Sequence, residues 1–250
     1  MRSFYPEGLY KHAPEVKPIL PGLLFERDGV IVAGHSGVGK SVLVQSLCYS
    51  LACGAPFLAW LKPVSQKKVA YIFTEGGLGY VKNRLQKVGV PSDCKNLLIV
   101  DFQESKLVED YDYLIQEFNN ARFKPDVIII DSLYASFTGT LISDKDVGNY
   151  RQKLDALRNL YNATIIITHH FTKEQRNMMG DVVRKRADDV YGSSLWSAWP
   201  TTMFVLEKQA EKHNLRCGKD RDNVVDPKEL ELQMVETPLG FQCISGYDIT

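Results

Sequence analysis

The stretch that decides the fold is Gly29-Val30-Ile31-Val32-Ala33-Gly34-His35-Ser36-Gly37-Val38-Gly39-Lys40-Ser41-Val42. A short apolar run with β-branched residues delivers the chain to a loop of the form G-x-x-x-x-G-K-S, Gly34 to Ser41. A helix-like segment follows it, Val42-Leu43-Val44-Gln45-Ser46-Leu47-Cys48. Glycines in such a loop let successive N–H groups turn inward around a phosphate. The first turn of the next helix points its positive end at the same anion. Gly34, His35, Ser36, Gly37, Val38, Gly39, Lys40, Ser41 and Val42 are therefore expected to hold a nucleoside triphosphate. Lys40 would lie against the β- and γ-phosphates and the Ser41 hydroxyl would ligate Mg²⁺. His35 occupies a tolerant position in the loop.

Working outward, strand and helix patterns alternate from Leu23 onward, which indicates an α/β domain with a mainly parallel sheet flanked by helices. The strands expected are Gly29–Ala33, Val69–Thr74, Asn96–Asp101, Val127–Asp131, Thr164–Thr168 and Met203–Glu207. Their apolar cores suit a sheet covered on both faces. Helices are expected over Lys40–Ala52, Gly79–Val88, Glu109–Ala121 and Asp146–Tyr161. Glu229–Val235 and Gly240–Ile244, joined by Glu236-Thr237-Pro238-Leu239, read as a C-terminal hairpin at the sheet edge. Residues 1–22, with Pro6, Pro14, Pro18 and Pro21, read as an extended N-terminal arm, and residues 23–250 as a single domain.

Three strand tips carry chemistry. Val127-Ile128-Ile129-Ile130-Asp131 places a carboxylate at the end of a buried strand, where ligands of open parallel sheets sit. Asp131 is expected to hold Mg²⁺ or one of its waters. Val69-Ala70-Tyr71-Ile72-Phe73-Thr74-Glu75 ends likewise before Gly76-Gly77, and Glu75 is the group expected to orient the attacking water. Thr164-Ile165-Ile166-Ile167-Thr168-His169-His170 ends in three polar residues that could touch a γ-phosphate. On an extended chain the two histidines face opposite ways, so one of them faces the nucleotide.

Composition bounds the rest. The chain has 250 residues, is 44% apolar and 24% charged, and balances 30 basic against 30 acidic side chains. That zero net charge supplies no global pull toward nucleic acid or membrane. The five cysteines, Cys48, Cys53, Cys94, Cys217 and Cys243, contain no C-x-x-C pair and favour neither a disulfide framework nor zinc. No signal peptide or spanning segment is evident, so a soluble cytoplasmic protein without membrane attachment is expected.

The phosphate loop, Glu75-Gly76-Gly77, Ile128–Asp131, Thr168-His169-His170 and Gly192-Ser193-Ser194 resemble, in order and spacing, the motifs of RecA-like P-loop ATPases. The likeness is to the branch of small hexameric plasmid and phage replication helicases (RepA-like), over roughly residues 18–245. The resemblance implies a bacterial, phage or plasmid-encoded ATPase that uses ATP and Mg²⁺ and assembles as a homo-oligomeric ring of six. It makes Glu75 the catalytic glutamate, with Lys40, and His169/His170 a γ-phosphate sensor. Single-stranded DNA and replication or recombination proteins become expected partners.

Tyr191 stands where relatives often carry arginine before Gly192. The cation supplied to the site from a neighbouring subunit is accordingly sought among Lys208, Lys212, Arg184 and Arg186, with Lys208 and Lys212 preferred. Two segments could carry the output, Ser132–Val147 and Phe171–Tyr191. In the second, Lys173, Arg176, Arg184, Lys185 and Arg186 suit phosphate contacts, although Asp181, Asp188 and Asp189 dilute the charge. The alternative is a regulatory or recombinase-like ATPase switch whose nucleotide state controls assembly or a protein partner. A GTPase is disfavoured by the lack of an N-K-x-D segment, and a small-molecule kinase by the lack of an arginine-rich lid.

Overall fold

The computed structural model describes residues 3, 5–12, 15–171 and 187–245. Helix α1, Pro6–His12, precedes a two-stranded antiparallel ribbon of β1, Pro18–Leu20, and β2, Leu24–Phe25. The alternation then runs β3, Gly29–Gly34; α2, Lys40–Cys53; β4, Val69–Phe73; α3, Leu78–Val88; β5, Leu97–Asp101; α4, Tyr111–Asn120; β6, Val127–Asp131. It continues with α5, Leu133–Ser136; α6, Asp144–Tyr161; β7, Thr164–His170; α7, Leu195–Ala198; and β8, Thr202–Gln209. The chain closes in an antiparallel meander of β9, Lys212–Asp220, β10, Glu229–Glu236, and β11, Leu239–Ser245.

Nine strands form one sheet in the order β11-β10-β9-β8-β3-β7-β6-β4-β5, in which β8 through β5 are parallel neighbours. The first crossover, β3 to α2 to β4, skips the positions later filled by β7 and β6. That opens the crevice at the C-terminal edge where open α/β sheets bind ligands.

Each inner strand divides its side chains by parity between two cores. Val30, Val32, Val69, Tyr71, Phe73, Val127, Ile129 and Ile166 pack beneath α2 and α3. Ile31, Ala33, Ala70, Ile72, Ile128, Ile130, Ile165 and Ile167 pack against the face covered by α4 to α7. Both faces are covered, which is why these strands read as unbroken apolar runs. α6 begins at an N-cap, the Ser143 hydroxyl accepting from the Asp146 N–H at 3.3 Å, with Asp144 and Asp146 in the first turn.

The extended arm expected over residues 1–22 is corrected in two respects. Pro6–His12 are helical, with Pro6 at a helix start, where its fixed φ and missing N–H cost nothing. Ile19 and Leu20 are buried in the same core as α2, so the packed domain starts near Pro18 rather than Leu23. The basic stretch after β8 forms the next strand of the sheet. β9 pairs with β8 over its length and buries His213 and Leu215.

Candidate nucleotide site

The loop from Gly34 to Ser41 leaves β3 and enters α2 through Gly39, whose φ of 100° lies in the left-handed region. A side chain at Gly39 would also collide with the hairpin behind it, its Cβ 2.8 Å from Phe241 Cζ and 3.0 Å from Met234 Cε. At Gly34 a Cβ would lie 2.6 Å from the Leu206 carbonyl oxygen. The β10–β11 hairpin and β8 thus press on the loop from outside, and only glycine permits the approach.

Lys40 folds over the loop, its Nζ donating to Gly34 O at 2.9 Å and His35 O at 2.8 Å. A third contact, 3.3 Å to His170 Nδ1, requires that nitrogen to accept, because an ammonium only donates. The His170 ring is therefore neutral here, and burial, followed by the Lys40 charge, holds its pKa below the usual value. Burial likewise lowers Lys40 to about 8, although Asp131 and Glu75 pull it back upward. An ammonium held on backbone carbonyls in a polar cleft stands where phosphate oxygens would be its better partners.

A cleft of about 410 Å³ opens over this loop. It is lined by Ser36, Gly37, Gly39, Lys40, Ser41 and Val42 on one side and by Glu75, Asp131, Thr168 and His170 on the other. Asp131, buried at the tip of β6, accepts from the Tyr71 hydroxyl at 2.8 Å through Oδ2 and from the Thr168 hydroxyl at 2.7 Å through Oδ1. Each carboxylate oxygen keeps a second lone pair. Among the described residues no group of three His, Cys, Asp or Glu could hold a metal alone. One hydroxyl, one carboxylate, phosphate oxygens and water suit Mg²⁺, which usually keeps several waters in such sites. Ser41 and Asp131 therefore fit the ion.

Parity separates the two histidines. His170 shares the Thr168 face and lines the cleft. His169 points into the opposite core, 1% exposed, with its ring centroid 5.6 Å from that of Trp196. Its Nε2 lies 2.8 Å from Tyr191 O, and its Nδ1 has no partner among the described residues. A carbonyl only accepts, so Nε2 carries the proton. Burial pushes this imidazole down to about 4, against the Tyr191 hydrogen bond. Of the two histidines, His170 is thus the one that lines the cleft, and His169 does not.

Glu75 lies at the cleft rim, where Oε1 accepts from the Ser132 hydroxyl at 2.5 Å. Ser132 is itself locked, its N–H donating to Thr74 Oγ1 at 2.7 Å and its carbonyl accepting from the same hydroxyl at 3.0 Å. Beyond Glu75 a second cleft of about 490 Å³ is walled by Lys106, Tyr134, Phe137, Thr140, Leu141 and Tyr191. Both segments expected to carry the output border it. The first is not a plain polar connection, since α5 occupies its start. The second leaves the sheet at Phe171 and returns at Val190, and these two residues bridge. Just past the second segment, Ser193 N donates to Leu141 O of the first at 2.7 Å and the Ser193 hydroxyl bonds Asp144.

The cations sought for a neighbour's site are placed unequally. Lys208 is exposed near the end of β8, which runs on past the phosphate loop. Lys212 is ion-paired with Glu231 on β10 within its own chain, at the surface. Neither lines its own cleft. Arg184 and Arg186, together with Lys173, Arg176 and Lys185 of the nucleic-acid contacts, lie outside the described residues. Sequence reasoning missed Tyr71, Ser132, Val81, Arg84 and Met234, all of which line the cleft. Tyr71 and Met234 sit at positions that read as core, and Arg84 as a solvated helix residue.

Comparison with known proteins agrees with this geometry. The chain is similar to the DNA repair protein RadA of Listeria monocytogenes, 26% identical over 166 residues, which are 64% of this chain and 32% of that protein. It is similar to RadA of Haemophilus influenzae as well, 23% identical over 251 residues, 94% of this chain and 46% of the relative. The chain thus spans between a third and a half of the length of these curated relatives. Among solved structures, one ATPase domain superimposes with a TM-score of 0.66 at 12% identity, covering 96% of this chain and 95% of that one. The KaiC-like protein PH0186 of Pyrococcus horikoshii OT3 gives 0.59 at 18% identity, covering 93% and 99%. Both support the RecA-like fold. A family model described as an AAA domain matches residues 5–176, taking in the phosphate loop, Glu75, Asp131 and the β7 histidines, and the chain belongs to that family as a RecA-like P-loop ATPase.

Proposed function

We propose that this chain is a Mg²⁺-dependent ATPase that assembles as a ring of six and acts on DNA, as a replicative helicase, translocase or loader. The observation that carries the reading is the position of Glu75, which borders both the nucleotide cleft and the cleft walled by the two output segments. A ligand held by Tyr134, Tyr191 and Lys106 would act directly on the group that aligns water. DNA as that ligand is supported by the names of the RadA relatives, DNA repair proteins.

In this reading Lys40 leaves Gly34 O and His35 O for the β- and γ-phosphates as ATP enters. Bound Mg²⁺ would offset charge on the phosphates and be held from the Ser41 hydroxyl and the Asp131 side. Glu75 uses the oxygen not taken by Ser132 to orient water for in-line attack. His170 and Thr168, between the loop and Asp131, face the terminal phosphate. Lys208, on a hairpin that projects past the phosphate loop, is the finger for a neighbouring subunit's site. A cation supplied in this way is worth about 10³–10⁵ in rate in other NTPases.

The test pairs ATPase rate, with and without single-stranded DNA, with particle mass, with and without nucleotide. Stimulation by DNA, steep salt dependence and a hexamer are expected. Turnover indifferent to DNA, together with assembly that follows nucleotide alone, would instead indicate the regulatory switch, which the zero net charge favours.

A further inference from the structure

Tyr71 stands in the middle of β4, 1% exposed, on the face beneath α2. Its hydroxyl donates to Asp131 Oδ2 at 2.8 Å and accepts from Gln45 Nε2 at the same distance. The direction of this chain is forced. An ionised carboxylate only accepts, so the single phenol proton goes to Asp131, and the Gln45 amide must then turn its NH₂ toward the phenol. Gln45 Oε1 is buried without a partner among the described residues, so the bond its nitrogen makes to the phenol is the one that holds the amide.

Gln45 lies one helical turn after Ser41 on α2. The hydroxyl and the carboxylate that flank the metal position are therefore joined by a rigid path: one turn of α2, an amide, a phenol and a carboxylate. With Thr168 on Oδ1, both Asp131 oxygens have fixed partners and its plane cannot rotate without breaking one of two buried bonds. Groups that orient a metal-facing residue from behind commonly change metal affinity 10–100-fold when removed.

We propose that Tyr71 is a positioning residue for the metal site, which through the Gln45–Tyr71–Asp131 chain holds the carboxylate in register with Ser41 and so sets the affinity for Mg²⁺ taken up with ATP. The inference rests on Ser41 and Asp131 being the metal-facing pair.

The experiment titrates Mg²⁺ against binding of a fluorescent, non-hydrolysable ATP analogue to wild type, Tyr71→Phe and Gln45→Met. Affinity in EDTA and thermal unfolding without nucleotide are measured in parallel. In Tyr71→Phe the Mg²⁺ concentration giving half of the affinity gain should rise about tenfold, with affinity in EDTA within about twofold of wild type. Gln45→Met, which keeps the phenol but removes its donor, should shift the curve the same way and less. A Tyr71→Phe curve that overlays wild type overturns the proposal, as does an equal loss of affinity in EDTA and in Mg²⁺, the mark of a merely structural residue. Should Tyr71→Phe fail to fold, Gln45→Met decides by the same criteria. Wild type that gains no affinity from Mg²⁺ refutes the metal reading of Ser41 and Asp131 instead, a distinguishable result.

Discussion

Acid should loosen this protein through His169, by an amount that follows from its surroundings. The imidazole is neutral, its Nε2–H donating to Tyr191 O, while Nδ1 faces core with no acceptor among the described residues for the N–H that protonation would create. Its folded pKa is about 4 against an ordinary 6.5. The unfolded chain therefore binds the proton first as pH falls. Stability from this group is fully present above pH 6.5, declines at up to about 1.4 kcal/mol per unit below it, and levels off under pH 4. Between pH 7 and pH 5 the loss is about 2 kcal/mol on this linkage. Carboxylates also titrate in this range, so the control is His169→Gln, whose amide can still donate to Tyr191 O but takes up no proton. Urea unfolding at pH 7, 6 and 5 should show wild type losing about 2 kcal/mol more than His169→Gln. Parallel curves would refute the argument, because they would mean that Nδ1 finds a partner or water on protonation. His170, also held below its usual value by burial, should add to the acid loss in the same direction, and His170→Ala should in addition impair turnover.

Lys40 should impose a basic limit on nucleotide binding. With its pKa near 8 in the free protein, affinity for ATP is expected to fall above pH 8, about tenfold per unit, and Lys40→Arg should lack that break in isothermal titration. Glu75→Gln should lower kcat by about 10²–10⁴ while ATP affinity stays within a few-fold, the new amide oxygen still accepting from Ser132; normal turnover would remove Glu75 from its role. Mixing Lys208→Ala subunits, which supply an intact loop, with Lys40→Ala subunits, which supply an intact hairpin, should restore hydrolysis that neither has alone; no recovery would mean that Lys208 is not a neighbour's finger. Gly34→Ala should cost about 1–3 kcal/mol without nucleotide, measured by denaturation, since its Cβ would be forced to 2.6 Å from the Leu206 carbonyl.

What could be read from the residues is what depends on local pattern. β3, β4, β6 and β7 announce themselves because burial on both faces gives each a run of apolar residues in its middle, and α6 because Val147, Tyr150, Leu154 and Leu157 recur along one face. β9 was illegible for the opposite reason. Its turn, Ala210-Glu211, carries Ala210 at φ 53° where asparagine or glycine would be the usual signal, and its charged residues hide the buried His213 and Leu215. The choice between His169 and His170 was open until pairing showed which parity faces Asp131. Tyr71 and Gln45 read as core positions, because the hydrogen bonds that satisfy them come from residues 26 and 60 positions away. No window along the chain contains both ends of such a bond.

The place of β7 between β3 and β6 has one more consequence. Two strand spacings, about 9–10 Å, separate the strand that feeds the phosphate loop from the strand that ends in Asp131. The intervening tip carries Thr168 and His170, which line the cleft between them. A molecule gripped only by the loop stops short of that tip, and one that reaches across it ties both halves of the crevice together. The distance a ligand must span to touch both halves of the crevice is thus the width of two strand spacings, set by backbone hydrogen bonds rather than by side chains.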